Sequence, residues 1–171
     1  MTEQPLPVVR IALLGCGNVG AALAELIADP ELEGRAGLRL EIVGVAVRDL
    51  SASRPVDSKL LTDDAESLVA RDDVDLVVEL IGGVEPAGAL VAAALEAGKP
   101  VVTGNKTLLA ESGAELSALA EARGVDLGFE AAVGGVVPII RTLRESLEGE
   151  RLTRVMGIVN GTTNFILSTM S

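Results

Sequence analysis

Gly15-Cys16-Gly17-Asn18-Val19-Gly20 stands between an apolar run, residues 8–14, and a segment with apolar residues at helical spacing, residues 18–29. In that setting each glycine has its own task. Gly15 permits a tight turn, Gly17 lets the backbone approach a pyrophosphate, and Gly20 lets helix and strand pack closely. The unpaired N–H groups at the helix start then face the anion. The chemistry implied is binding of a dinucleotide. Cys16 reads as a small filler of the turn rather than a reactive thiol.

Five further stretches carry groups that could meet a ligand. Residues 44–49, GVAVRD, put Arg48 and Asp49 where a ribose is read. Arg48 matches a 2′-phosphate and favours NADP; Asp49 could instead face a 2′-hydroxyl, as for NAD. Gly82-Gly83 would let the nicotinamide side of such a cofactor pass close to the backbone, or is a plain turn. Thr103-Gly104-Asn105-Lys106-Thr107 offers a lysine to orient a carboxylate or polarise a carbonyl, and an amide for orientation, or else a surface lysine beside a helix cap. In Phe129–Pro138 a Gly-Gly loop has carbonyls that can coordinate a cation, with Glu130 adding charge, or is a strand-to-helix turn. Asn160–Ser171, NGTTNFILSTMS, pairs a polar half suited to a ligand with an apolar half suited to a helix.

These loops need a scaffold that brings them to one edge. Strands are expected over residues 8–14, 38–47, 74–81, 100–103, 125–129 and 151–159. Helices are expected over 18–29, over a short stretch opened by Asp63 and Glu66 as a capping box, over 86–97, from Ser112 with Glu115 to Gly124, and over 136–147. Residues 31–37 and 49–62 read as polar connections. Strands alternating with helices predict an α/β fold: a Rossmann-like, doubly wound, mostly parallel sheet with helices on both faces.

Composition bounds the rest. At 171 residues with 49% hydrophobic content the chain can bury a real core. A net charge of −11 without a Lys/Arg cluster argues against nucleic acid and against an anionic membrane surface. No apolar run approaches the roughly 20 residues of a membrane span, and no signal peptide is evident. A single cysteine allows no internal disulfide, so a reducing cytoplasm is expected. With no His, Tyr or Trp, the chain excludes His-based triads, His-ligated metal, and dehydrogenase designs that use a catalytic His or a Tyr-Lys pair. Lys59, Lys99 and Lys106 are its only lysines.

LLGCGNVG, TGNKTLLA, FEAAVGGVVPIIR and GIVNGTTNFIL occur in this order, and the set resembles homoserine dehydrogenase across essentially all of the chain. The resemblance implies interconversion of L-homoserine and L-aspartate 4-semialdehyde by hydride transfer with NADP or NAD. It implies NADP contacts at the glycine loop with Asn18 and Val19, at Arg48 and at Lys106. It further implies a monovalent cation, such as sodium, at Glu130, Val133, Gly135 and Val137. Asn160, Gly161 and Thr162 are implied to lie against nicotinamide and substrate, with Lys106 and Thr162 orienting the substrate and Gly82, Thr103, Asn105 and Asn160 near the nicotinamide. Two stretches depart from the family pattern. Gly104-Asn105-Lys106-Thr107 replaces the usual Ala-Asn-Lys-Ala, a change expected to loosen the loop that places Lys106, and Phe129 replaces a frequent Tyr.

By the same resemblance, residues 1–150 form the NAD(P)-binding domain and residues 151–171 the first strand and helix of an α+β substrate and dimerisation domain. The remainder of that domain, with the lysine that handles the alcohol proton, is expected beyond Ser171, and the full-length enzyme is expected to be a homodimer or homotetramer. The competing readings are a module that binds NAD(P) without turnover and another dehydrogenase of this fold, such as an aspartate-type one.

Overall fold

The computed structural model describes residues 6–135, 137–157 and 169. Asn160, Gly161 and Thr162, and the apolar residues that follow them, lie outside the described residues. The chain forms two compact units, residues 1–128 and 129–171.

The first unit is one six-stranded sheet. Its strands are β1 (Val8–Leu14), β2 (Arg39–Ala46), β3 (Leu61–Thr62), β4 (Leu76–Glu79), β5 (Val101–Thr103) and β6 (Leu127–Gly128). Their spatial order is β3-β2-β1-β4-β5-β6, and every pair is parallel. This is the doubly wound dinucleotide order, which reverses between β1 and β4 and opens a crevice there beyond the strand ends. Strands buried on both faces must be apolar throughout. The carboxyl half of β1 obeys this: Ile11, Ala12, Leu13 and Leu14 are all buried, as are Val45, Val77 and Val101 of β2, β4 and β5.

The helices are α1 (Asn18–Ile27), α2 (Pro30–Ala36), α3 (Ala65–Ala70), α4 (Ala87–Glu96) and α5 (Lys106–Arg123). Ala24 of α1, Leu68 of α3, Leu90, Val91 and Leu95 of α4, and Leu108, Leu116 and Ala120 of α5 are buried. Among the described residues no helix is long and apolar enough to cross a membrane.

Several elements depart from expectation, each for a local reason. Residues 30–36 are helical rather than a loop. Asp29 caps them by accepting the Glu31 N–H at 2.9 Å, Pro30 opens the first turn, Glu31 and Glu33 lie near the positive end, and Gly37 closes the helix in the left-handed region. The cap of α3 is Asp64, not Asp63; its carboxylate accepts the Ser67 N–H at 2.9 Å and the Ser67 hydroxyl at 2.6 Å. α5 opens at Lys106 rather than Ser112, because Asn105 already caps it by accepting the Leu108 N–H at 3.1 Å. Leu61–Thr62 adds a short edge strand inside the expected polar connection.

In the second unit, α6 (Ile139–Arg141) runs on into a wider turn over Thr142–Ser146. The strand expected over 151–159 is absent over 151–157, which are exposed and carry no strand hydrogen bonds. A strand exists only as part of a ladder, and apolar content alone does not supply a partner.

Candidate nucleotide site

β1 delivers the chain into the glycine turn at the sheet's carboxyl edge. Gly15 has a φ of 93°, and a Cβ there would stand 2.7 Å from the Leu80 carbonyl oxygen. Its N–H donates to the Ala46 carbonyl at 2.9 Å, so the turn continues the β1–β2 ladder. At Gly20 a Cβ would be driven into the Gly15 carbonyl oxygen. Nothing lies within 4 Å of the corresponding position at Gly17, so that side of the turn is open. The first backbone bond of α1 runs from the Ala21 N–H to the Gly17 carbonyl at 2.8 Å, and Gly17 has no side chain to cap the helix. The N–H groups of Asn18, Val19 and Gly20 precede that bond and point out of the helix end. Val19 is 66% exposed, a large apolar side chain held at the mouth of the turn. Cys16 is buried, and burial pushes its thiol up despite the opposing charge of Arg54. That suits filler rather than nucleophile.

Beyond β2, the Asp49 carboxylate is turned inward on its own loop. It accepts the Ser51 N–H at 2.8 Å and the Ser51 hydroxyl at 2.6 Å, and these bonds hold it below the usual carboxylate range. Arg54 closes the same loop by donating to the Asp49 and Ala52 carbonyls. Arg48 is exposed and forms no hydrogen bond or ion pair with the described residues.

Beyond β4 and β5 the polar groups converge on Glu79, the last residue of β4 and 0% exposed. Its Oε1 accepts the N–H groups of Ile81 at 2.8 Å and Gly82 at 3.2 Å, and the Asn105 Nδ2 at 3.4 Å. Its Oε2 accepts the Thr103 hydroxyl at 2.5 Å. Thr103 Oγ1 in turn accepts the Asn105 N–H at 3.0 Å, and Asn105 Nδ2 donates to the Gly83 carbonyl at 2.6 Å. Thr103 and Asn105 are themselves 0% and 5% exposed. Asn105 thus spends both ends of its amide inside the protein, and Lys106, next in the chain, is left exposed at the first position of α5. The Gly104 N–H donates to the Glu79 main-chain carbonyl at 3.1 Å, so this turn is tied down on both sides of Gly104.

The structure therefore brings Gly15, Gly17, Asn18, Val19, Gly20, Arg48, Gly82, Thr103, Asn105 and Lys106 to one edge of one sheet. Glu79 was not singled out from the sequence. Its signal was an acid closing the apolar run LVVE, where a charge must find partners.

Glu130, Val133, Gly135 and Val137 belong to the second unit. The two carboxylate oxygens of Glu130 accept the N–H groups of Ile140 at 3.0 Å and Arg141 at 2.9 Å, capping α6. Gly134 and Gly135 both take left-handed φ, at 75° and 64°, which curls the loop. The Val137 carbonyl accepts the Ile139 N–H at 2.8 Å; among the described residues no hydrogen bond reaches the carbonyls of Val133 or Gly135. A carboxylate and two unengaged carbonyls in one loop are donor types that suit a hard cation, and both oxygens of Glu130 are already engaged in the cap.

Comparison with known proteins gives two family matches: "Homoserine dehydrogenase, NAD binding domain" over residues 15–130 and "Homoserine dehydrogenase" over residues 138–171. The homoserine dehydrogenase of Mycobacterium tuberculosis is 52% identical over 170 residues, covering 98% of this chain and 38% of the relative. That of Corynebacterium glutamicum is 53% identical over 171 residues, with the same 98% and 38%. Among solved structures, a homoserine dehydrogenase from Thiobacillus denitrificans superposes with a TM-score of 0.87 at 44% identity, covering 98% of this chain and 39% of the other. A hyperthermophilic archaeal homoserine dehydrogenase in complex with NADPH superposes with a TM-score of 0.80 at 31% identity, covering 96% and 56%. The chain thus spans about two fifths of the length of the curated relatives it matches.

Proposed function

The chain belongs to the homoserine dehydrogenase family and carries its NAD-binding domain, and from that premise we propose that it forms the nucleotide-binding part of an enzyme interconverting L-homoserine and L-aspartate 4-semialdehyde. The observation that carries the reading is the glycine turn at the β1–β4 switch point. Gly15 and Gly20 admit no side chain there, and Gly17 faces open space. Bound NAD(P) supplies the hydride chemistry. The chain's own residues hold and aim it. Gly15, Gly17 and Gly20, with the N–H groups of Asn18 and Val19, receive the pyrophosphate. Gly82, Thr103, Asn105 and Asn160 border the nicotinamide, Asn105 acting through the turn it holds. Lys106, Gly161 and Thr162 orient the substrate, and misplacement there costs orders of magnitude in rate.

NADP is the preferred cofactor in this reading. Arg48 is unengaged and available to a 2′-phosphate, whereas Asp49 is spent on Ser51. A sodium ion is held by Glu130 and the carbonyls of Val133, Gly135 and Val137. Residues 1–150 constitute the nucleotide-binding domain, and residues 151–171 open the substrate domain. The whole enzyme acts on its small-molecule substrate in the cytoplasm, as a homodimer or homotetramer.

The test is Arg48→Ala, read as the ratio of NADPH to NADH affinity with homoserine oxidation assayed alongside. Loss of charge-assisted bonds worth about 2 kcal/mol predicts that NADPH binding weakens roughly 30-fold while NADH binding is unchanged. An unaltered ratio overturns the role of Arg48.

A further inference from the structure

Burying a carboxylate without a cation beside it is a poor way to stabilise a fold. Glu79 is such a group: it is wholly buried, and each of its four hydrogen-bond donors is an uncharged N–H, amide or hydroxyl. Its partners have one thing in common. Ile81 and Gly82 begin the loop after β4, while Thr103 and Asn105 frame the turn after β5 that ends in Lys106. These two loops are neighbours because β4 and β5 pair in register, with Glu79 opposite Thr103. The Gly83–Asn105 bond closes the ring on the far side.

We propose that Glu79 is a positioning residue for the nicotinamide side of the site: one carboxylate fixes the Gly82-Gly83 loop and the Thr103–Lys106 turn in a single geometry. This rests on the nucleotide reading above and extends it to a residue outside the binding set. The geometry explains why an acid serves here. Oε1 takes three donors and Oε2 a fourth, and only a group with two acceptor oxygens receives them all. A glutamine in its place presents an NH2 to one side, so either the Thr103 hydroxyl loses the oxygen it donates to or the loop N–H groups face a donor. The adenosine side of the site, built on Gly15–Gly20 and Arg48, has no bond to Glu79 among those described.

The separation of the two sides supplies the test. Glu79→Gln in the 171-residue chain is titrated with NADPH and, separately, with adenosine 2′,5′-bisphosphate, which lacks the nicotinamide half. NADPH affinity is expected to fall about tenfold, the equivalent of one charged hydrogen bond, while affinity for the bisphosphate stays within about twofold. The fluorescence of bound NADPH is expected to move toward that of the free nucleotide. Equal losses for both ligands make Glu79 a general structural residue and overturn the proposal, as does an unchanged NADPH affinity. Should Glu79→Gln not fold, Thr103→Val and Thr103→Ser repeat the test from the other strand. Ser keeps the hydroxyl that donates to Glu79 and is expected to bind NADPH more tightly than Val, whereas Val is expected to weaken NADPH while keeping the bisphosphate; equal NADPH affinity of the two overturns the proposal. A wild-type chain that binds neither ligand overturns the nucleotide reading itself and this inference with it.

Discussion

At the scale of single residues, the site is decided by where a Cβ or a carboxylate fits. Gly20→Ala drives a methyl into the Gly15 carbonyl oxygen, which belongs to backbone and cannot swing aside. NADPH binding is expected to weaken by at least about tenfold, measured by titration, while far-UV circular dichroism stays unchanged because the rest of α1 is intact. The same substitution at Gly17 meets no atom within 4 Å in the protein, so any loss of affinity there reports on the ligand alone. These glycines were legible in the sequence because their spacing encodes the turn directly. Glu79 was not, because an acid inside an apolar run states that partners exist without naming them. Ile81 and Gly82 are local to it, but Thr103 and Asn105 lie 24 and 26 residues away.

At the scale of elements, caps set where helices begin, and caps explain most differences between reading and structure. Periodicity located α1 well, and the flanking Pro86 and Gly98 located α4. The pattern of α2 was hidden by its polarity, although Asp29, Pro30 and Gly37 spell a complete helix in seven residues. Asn105→Ala removes the cap of α5 and orphans the Leu108 N–H. A loss of about 1 kcal/mol in chemical denaturation is expected from the cap, together with reduced NADPH affinity as the Gly83 tie is lost. At the opposite edge of the sheet, Arg10 of β1 grips Asp75, just before β4, through two side-chain bonds of 2.8 Å, and Asp75 also accepts the Arg10 N–H. The Arg10 bonds hold the Asp75 carboxyl down to about 2. A folded-state value depressed below the unfolded value of about 3.9 stabilises above that unfolded value, and the contribution is lost as pH falls from about 4 toward 2. Asp75→Asn is therefore expected to flatten the dependence of thermal stability on pH in that window, measured by melting curves, while changing nucleotide affinity little.

At the scale of the whole molecule, topology does what no single motif can. The order β3-β2-β1-β4-β5-β6 gathers groups from residues 15 to 106 onto one edge, and the crevice falls where the order reverses. Alternating strands and helices made the doubly wound parallel sheet legible in advance, but not the edge strand β3. The segment 151–157 was misread because its apolar residues carry no record of a partner strand. On the reading proposed above, the glycine turn with Arg48 takes up NADPH in preference to NADH. The most direct measurement is a fluorescence titration of the 171-residue chain with NADPH and with NADH. Saturable binding of both, tighter for NADPH, is the predicted result; no binding of either nucleotide would contradict it.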